Sequence, residues 1–446
     1  RVAVLGVGVS NTPLIELLCR AGHKVIACDR SERSALGERA AYLESLGATL
    51  RLGEDYLKGL EADVIFRTPG MRPDLPEIAA AVEKGAELTS EMEVFFEVCP
   101  CRILAVTGSD GKTTTTTLIA KILEQAGNTV HIGGNIGTPL LNRAGEMDPG
   151  DLVVLELSSF QLMTMKKSPQ AAVITNISPN HLDVHKDYEE YKEAKRNILR
   201  YQSEGDVAVL NADCGETLAF AEGAKGEVRF FSRKRSVENG AWTDGKTVYF
   251  AAGGKQIPVM PVSAIRLRGT HNLENYLAAI AAVGDCVPHA AIRAVAESFG
   301  GVAHRLEYVR TVRGVSFYND SIASSPSRTI AGLKSFDQKV ILIAGGKDKG
   351  IAYDEIGPEI LRHVKTLVLT GMTAGKIRAA VENAPGYDGA PEIIEKEDFR
   401  EAVLAAYGAA REGDIVLLSP ASTSFDRFRN FEERGDTFKQ IVRELE

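Results

Sequence analysis

The residues best suited to chemistry stand together in Arg102-Ile-Leu-Ala-Val-Thr-Gly-Ser-Asp-Gly-Lys-Thr-Thr-Thr-Thr-Thr117. A short apolar run, two glycines, a lysine, a hydroxyl residue and the start of a helix make a phosphate cradle. Gly108 and Gly111 permit φ > 0 and close backbone approach, and the N-terminus of the following helix offers unpaired N–H groups to an anion. Lys112 is placed to reach terminal phosphates, and the Thr113 hydroxyl to bind the Mg²⁺ that accompanies a nucleoside triphosphate. The Gly-x-x-x-x-Gly-Lys-Ser/Thr pattern is incomplete, since Val106 stands at its first glycine. We read the loop as a variant of that pattern rather than a plain polar turn, because strand, loop, lysine, hydroxyl and helix occur in the required order.

Downstream residues could complete a metal site. Glu156 ends the apolar run of Asp151-Leu-Val-Val-Leu-Glu156, where a buried carboxylate needs compensation by a cation in the cradle or by a nearby Arg or Lys. The strand Ala172-Val-Ile-Thr-Asn176 leads into Ile-Ser-Pro-Asn-His181-Leu-Asp183-Val-His185. Ligands of parallel sheets bind beyond the carboxyl ends of the strands, so His181 is taken as a metal or phosphate ligand in preference to His185. Lys195, on the helical pattern that starts at Tyr188, is by itself one charge on a solvated face.

A second glycine loop lies near the start. Gly6 and Gly8 follow the strand Val2-Ala-Val-Leu5, and Asp29 ends the next strand, as in a dinucleotide fingerprint, but Asn11 replaces the third glycine. An NAD site, a site for another nucleotide and a structural turn are the three readings. Towards the other end, three strands run into polar loops at Asn319–Ser324, Gly345–Lys349 and Ser419–Asp426. Lys347 and Lys349 would suit an acidic substrate there, or simply face solvent.

The elements that must position these residues alternate strand and helix, an α/β pattern repeated three times. With 446 residues and a soft prior of about 150 per domain, we expect domains at 1–95, 96–302 and 303–446. Apolar residues are 44% and charged residues 25%, with no apolar run near a membrane span. The net charge of −8 is spread without a basic block, so neither membrane nor nucleic acid is an expected partner. Six scattered cysteines and no secretory leader fit reduced thiols in the cytoplasm, with Cys99-Pro-Cys101 read as linker rather than redox pair.

Taken together, Thr107-Gly-Ser-Asp-Gly-Lys-Thr-Thr, Gly134-Asn-Ile-Gly, Glu156-Leu-Ser-Ser-Phe-Gln-Leu, Asn176-Ile-Ser-Pro-Asn-His181-Leu-Asp, Gly269-Thr-His-Asn272-Leu-Glu-Asn275, His304-Arg305 and Asn319-Asp-Ser resemble the Mur ligases of peptidoglycan synthesis, across the whole chain. The resemblance implies a Rossmann-like N-terminal domain, a central P-loop-type ATPase domain with a mostly parallel sheet, and a Rossmann-like C-terminal domain. The compact first domain and the stretch from Ser419-Pro-Ala-Ser to Phe431-Glu-Glu-Arg-Gly imply the activity that adds D-glutamate to UDP-N-acetylmuramoyl-L-alanine through an acyl phosphate. A sister ligase for another amino acid, and a nucleotide-sensing protein without ligation, are the alternatives.

By the same resemblance Ser10, Asn11, Asp29, Arg30 and Gly70 hold the UDP moiety, while Asn135 and Ser158 face the muramoyl group. ATP falls to Gly108, Ser109, Asp110, Gly111, Lys112, Thr113, Thr114, Asn272, Asn275, Arg305 and Asp320. Thr113, Glu156, His181 and a carbamylated Lys195 hold two Mg²⁺ ions, with Lys112, Glu156, His181 and Lys195 as the catalytic set. A carbamate suits that place, because it turns a repelled ammonium into anionic oxygen ligands. Lys349, Ser424, Phe425 and Phe431 grip D-glutamate, and the enzyme is a cytoplasmic monomer. Many members carry lysine after Asn-Asp-Ser where this chain has Ile322, and Lys347 and Arg328 are the residues that could replace its charge.

Overall fold

Apolar runs of four to six residues bounded by glycine, asparagine or aspartate are too short for helices and, when buried on both faces, favour parallel strands. The computed structural model describes residues 1–8, 11–137, 139–179, 184–267, 269–348 and 350–446. The chain divides into two compact units, Arg1–Ser298 and Phe299–Glu446, and among the described residues the runs assemble into three sheets.

In the first unit, β1 (Val2–Leu5), β2 (Val25–Asp29), β3 (Thr49–Leu52), β4 (Val64–Arg67) and β5 (Glu87–Thr89) form a sheet of order β3-β2-β1-β4-β5. Every pairing is parallel. The order reverses between β1 and β4, which leaves a crevice beyond their carboxyl ends, where the Gly6 turn and the loop after β4 lie.

The second sheet of this unit is built from β6 (Arg102–Thr107), β7 (Val130–Gly134), β8 (Leu152–Glu156), β9 (Ala171–Ile174), β10 (Val207–Asn211), β11 (Glu227–Ser232), β12 (Gly240–Thr243), β13 (Thr247–Ala252) and β14 (Lys255–Pro261). Its order is β14-β13-β12-β11-β10-β9-β6-β8-β7, parallel except for the β12–β13–β14 meander. β6 lies between β8 and β9, so the register sets Val106 opposite Glu156 and Thr107 opposite Ile174. The chain leaves β6 towards one side and returns on the other, and the phosphate loop sits at that reversal.

The helix Lys112–Gln125 begins with a run of threonines, poor helix formers because of their branched Cβ. Tertiary packing overrides that preference. Leu118, Ile119, Ile122 and Leu123 are buried, and the helix lies against the helix Thr270–Val283, which is buried from Asn275 to Val283. The helix Glu91–Val98 runs across residue 95, where a boundary was expected. Its Met92 and Phe95 belong to one apolar core with Val4 and Leu14 on one side and Ile103 and Leu141 on the other.

The second unit holds β15 (Glu307–Val312), β16 (Val315–Asn319), β17 (Val340–Ala344), β18 (Val364–Leu369), β19 (Glu392–Glu395) and β20 (Ile415–Leu418), in the order β15-β16-β20-β17-β18-β19. Only β15–β16 is antiparallel. β20, the last strand, inserts at the centre, so the loops after β16, β17 and β20 open at neighbouring strand ends.

Candidate functional site

The central sheet brings the cradle together as the strand order requires. Gly111 caps the Lys112 helix in the left-handed region at φ 77, and a Cβ there would strike the Asn275 side chain. Gly108 has φ 146 and sits where a Cβ would collide with the Thr175 hydroxyl. Both positions need glycine for conformation and for space.

The loop is held on its far side by the end of β9. Thr175 donates its hydroxyl to the Asp110 carbonyl at 2.6 Å, and the Asp110 N–H donates to Asn176 Oδ1 at 3.0 Å. The Ser109 hydroxyl lies 2.8 Å from the Tyr191 hydroxyl and accepts from the Ser178 N–H at 2.9 Å. Lys112 Nζ folds back onto the carbonyls of Gly108 and Ser109 at 3.0 and 2.9 Å. Thr114 is half-buried on the first turn of the helix. From the Thr270–Val283 helix, Asn275 accepts from Thr115 at 3.3 Å and donates to Asn272 at 3.4 Å.

Glu156, buried at the end of β8, is the meeting point. It accepts from the Thr113 hydroxyl at 2.6 Å and from the Asn135 amide at 2.7 Å. Lys195 arrives on the helix Tyr188–Arg200, buried, with Nζ 2.8 Å from the Gly108 carbonyl and 4.8 Å from the centre of the Tyr191 ring. Its ammonium is driven well below the usual lysine range, first by burial and then by the charge of Lys112. Only the unprotonated amine adds to CO₂, so a shift in this direction, in a buried site, is the one carbamylation needs. The Thr113 and Glu156 oxygens likewise suit a hard divalent cation. Among the described residues no three His, Cys, Asp or Glu side chains converge as a metal site, so such a cation would rely on hydroxyl, carbamate or substrate oxygens as well. His181 lies outside the described residues.

The first glycine loop is built differently. Asn11, buried, donates its amide to the carbonyls of Leu5 and Gly6 at 3.2 and 2.9 Å. Asp29 accepts the Val7 N–H at 2.6 Å and the Ser31 N–H at 2.8 Å. Burial alone would raise its pKa, but these donors hold it below the ordinary aspartate value. Arg30 and Gly70 are exposed beyond β2 and β4, and Ser10 is outside the described residues. Ser158 spends its hydroxyl on a capping box with Gln161 at the head of the helix Ser159–Leu162. Cys99 and Cys101 are free thiols, with Cys101 donating to the Asp148 carbonyl at 3.2 Å.

In the second unit, Asp320 is fully buried at the end of β16, and burial pushes its pKa up to about 7. The Ser419 hydroxyl donates to it at 2.7 Å and the Leu306 N–H at 3.2 Å, while Arg305 and Arg328 pull the value down. Arg328 thus puts positive charge near the loop in which Ile322 replaces lysine. Lys347 is exposed and its backbone pairs with Thr423. Ser424 is buried, Phe425 is 59% exposed, and Phe431 sits edge-on to His304 at 5.8 Å. Lys349 is outside the described residues.

Arg434 had not been singled out. Its buried guanidinium donates to the Ser321 hydroxyl at 3.0 Å, the Ser321 carbonyl at 2.9 Å and the Ser422 carbonyl at 3.1 Å. It therefore ties the loops after β16 and β20 together. The sequence signal was a cation in the first turn of the helix Phe431–Glu444, where the helix dipole disfavours positive charge unless a specific contact repays it. Tyr191 and Thr175 were likewise missed, as ordinary polar residues in helix and strand-end positions, and Asn176 entered only as the head of a motif, without a role.

Residues 106–283 match the Mur ligase middle domain, and residues 304–422 match the Mur ligase glutamate ligase domain. The UDP-N-acetylmuramoylalanine–D-glutamate ligase of Acetivibrio thermocellus is 54% identical over 450 aligned positions, which cover 100% of this chain and 97% of that protein. Its counterpart in Ruminiclostridium cellulolyticum is 51% identical with the same coverage, 100% and 97%. Among solved structures, the UDP-N-acetylmuramate–alanine ligase of Thermotoga maritima has the same fold at a TM-score of 0.57, with 18% identity and 99% of each chain covered.

Proposed function

Because the chain belongs to the Mur ligase family, we propose that it is the ATP-dependent ligase that joins D-glutamate to UDP-N-acetylmuramoyl-L-alanine in the making of peptidoglycan precursors. The observation that carries this reading is the convergence of Lys112, Thr113, Glu156 and Lys195 on one phosphate loop.

A carboxylate is a poor electrophile and must be activated before an amine can attack it. The L-alanyl carboxylate oxygen attacks the γ-phosphorus of ATP, the bond to the β–γ bridging oxygen breaks, and ADP leaves an acyl phosphate. The amine of D-glutamate then adds to the acyl carbon. Loss of a proton and collapse of the tetrahedral adduct release phosphate and leave the amide. Lys112 is assigned to the charge developing on the transferred phosphoryl group, once its ammonium turns from the Gly108 and Ser109 carbonyls. Asn135 and Thr113 orient the Glu156 carboxylate. Two magnesium ions, held by Thr113, Glu156, His181 and the carbamate of Lys195, would supply further charge neutralisation.

The UDP moiety is assigned to the crevice of the first sheet, through Ser10, Asn11, Asp29, Arg30 and Gly70, and the muramoyl group to Asn135 and Ser158. Asn272, Asn275, Arg305 and Asp320 are assigned to ATP, and Lys349, Ser424, Phe425 and Phe431 to D-glutamate. We read residues 1–95, 96–302 and 303–446 as three domains, each around its own sheet, with the first two sharing a core. We assign the chain to the cytoplasm as a monomer acting on small molecules by analogy with the family, a reading with which its free thiols agree.

The test is phosphate release on incubation with ATP, the UDP-linked substrate and each of a panel of amino acids. Release with D-glutamate alone supports the reading, whereas release with another amino acid assigns a sister activity. No release with any would leave nucleotide binding without ligation. For Lys195, ¹³C-bicarbonate should give a carbamate resonance that Lys195→Ala lacks, and short-chain acids should restore part of the variant's lost activity.

A further inference from the structure

Arg72 lies in the loop after β4, next to Gly70, and takes no part in the reaction described above. Its guanidinium meets Glu190, on the Tyr188–Arg200 helix, through two hydrogen bonds of 3.0 Å, and the Val184 carbonyl at 2.8 Å. Asp74 receives it at 2.8 and 2.9 Å and also pairs with Lys186 at 2.8 Å. The Arg72 and Glu190 side chains are only 23% and 25% exposed, so this fork is screened less than a surface pair.

Glu190 passes the contact inward. Its Oε2 stands 3.5 Å from Nδ1 of His185, whose side chain is wholly buried. The other ring nitrogen of His185 is 2.9 Å from the Ser159 hydroxyl. The imidazole stacks on Phe160 at 5.2 Å and meets Tyr191 edge-on at 5.3 Å. Tyr191 in turn bonds Ser109 of the phosphate loop and covers Lys195. A second arginine reaches the same place from the end of β4, since Arg67 donates to the carbonyls of Pro69, Met71 and Phe160 at 2.8, 2.5 and 2.9 Å. The loop after β4 is thereby tied to two residues that touch His185, Phe160 through Arg67 and Glu190 through Arg72.

We propose that His185 is a positioning residue, and that Arg72, Glu190 and His185 couple the loop after β4 to the phosphate loop by setting the place of Tyr191 against Ser109 and Lys195. The nucleotide-sugar substrate would settle that loop, and the path would align the phosphate loop for ATP before the amino acid arrives. The inference rests on the assignment of the UDP moiety to the first sheet. Side chains joined in series by hydrogen bonds, a close polar contact and ring packing are a physical route for such coupling, and the two ligands must then strengthen each other reciprocally.

The test is calorimetric binding of a non-hydrolysable ATP analogue to the full chain, with and without saturating UDP-N-acetylmuramoyl-L-alanine. In the unaltered protein the nucleotide-sugar should tighten the analogue by about tenfold. In Arg72→Ala, Glu190→Gln and His185→Asn that gain should fall below about twofold, with the analogue alone bound nearly as before. The Arg72→Ala/Glu190→Gln double variant should lose no more than either single change, because both act through one path. Glu190→Gln preserves shape and carries the test if Arg72→Ala fails to fold. Full coupling in these variants, additive losses in the double variant, or no coupling in the unaltered protein would overturn the proposal. Binding needs no turnover, so these outcomes are separate from the phosphate-release assay; a chain that releases phosphate with D-glutamate yet keeps its coupling in every variant refutes the path and leaves the ligase reading intact.

Discussion

Two strand–glycine–helix turns occur in the first unit, and they spend their polar groups in opposite ways. After β1, the Asn11 amide closes onto the carbonyls of Leu5 and Gly6, and Asp29 takes the Val7 N–H. After β6, the Gly111 cap carries no side chain, and the loop is braced from outside by Thr175, Asn176 and Tyr191. In the first turn the described polar groups are taken up by Asn11, Asp29 and Arg39. The second is steadied at its back while its helix N-terminus carries no side-chain cap and its lysine rests on the loop's own carbonyls, from which it can turn to a phosphate chain.

The largest effect that would break this contrast is chemical. Lys112→Ala should lower kcat/KM for ATP by about three orders of magnitude, the scale of removing one preorganised charge from a developing anion. Asn11→Ala should leave KM for ATP unchanged. Steady-state phosphate release with ATP varied measures both, and equal losses in the two variants would mean that the turns are not functionally distinct.

A stability comparison of the glycines comes next. Gly111→Ala forces a side chain into the left-handed region and against Asn275, which should cost roughly 1–3 kcal/mol and weaken nucleotide binding. Among the described residues a side-chain methyl at Gly8 would meet nothing within 4 Å, so Gly8→Ala should stay within about 0.5 kcal/mol of the parent. Thermal unfolding of the two variants side by side decides it.

These contrasts also mark what could be read from the chain. Buried parallel strands were legible because Ile103-Leu-Ala-Val106 or Val340-Ile-Leu-Ile343 have no other way to bury a short, wholly apolar run. β15 and β19 were not, since Glu307–Val312 and Glu392–Glu395 are edge strands with mixed, half-exposed side chains. The meeting of Lys112, Thr113 and Glu156 followed from adjacent strand ends. The brace of Thr175 and Tyr191 did not, because it depends on distances that no local pattern encodes. Asn11 could be seen only as a broken fingerprint, and its two carbonyl partners supply the reason. The helix Glu91–Val98 hid any boundary at residue 95, since its apolar face belongs to cores on both sides.

Arg434 offers a smaller test in the second unit, where a third set of strand ends is closed by a buried cation instead of by glycine. Arg434→Lys keeps the charge but has one nitrogen where the guanidinium uses three, so it cannot keep the Ser321 hydroxyl bond together with the carbonyl bonds and should cost about 1–3 kcal/mol for the unmade bonds. KM for D-glutamate should rise more than KM for ATP. An equal rise in both would mean that the loops after β16 and β20 do not shape the amino-acid site.

The smallest effect concerns Asp29, whose carboxylate takes the Val7 and Ser31 N–H groups at the first turn. Its folded pKa lies below the ordinary value because the Val7 and Ser31 N–H groups outweigh the opposing effect of burial. The unfolded chain therefore takes up a proton at higher pH than the folded one. The stability this contributes is fully present above the ordinary aspartate pKa and is lost as pH falls through the lowered folded value. An asparagine has one acceptor oxygen and no charge, so Asp29→Asn should be less stable than the parent by about 1 kcal/mol at neutral pH, a figure kept small because the group is only partly buried. Thermal unfolding across the acid range should show the two proteins converging as pH falls through the lowered folded value, where the parent's carboxyl becomes neutral too. A constant gap at all pH values would mean that the turn is held by shape rather than by the carboxylate. The first loop would then differ from the second only in its missing lysine.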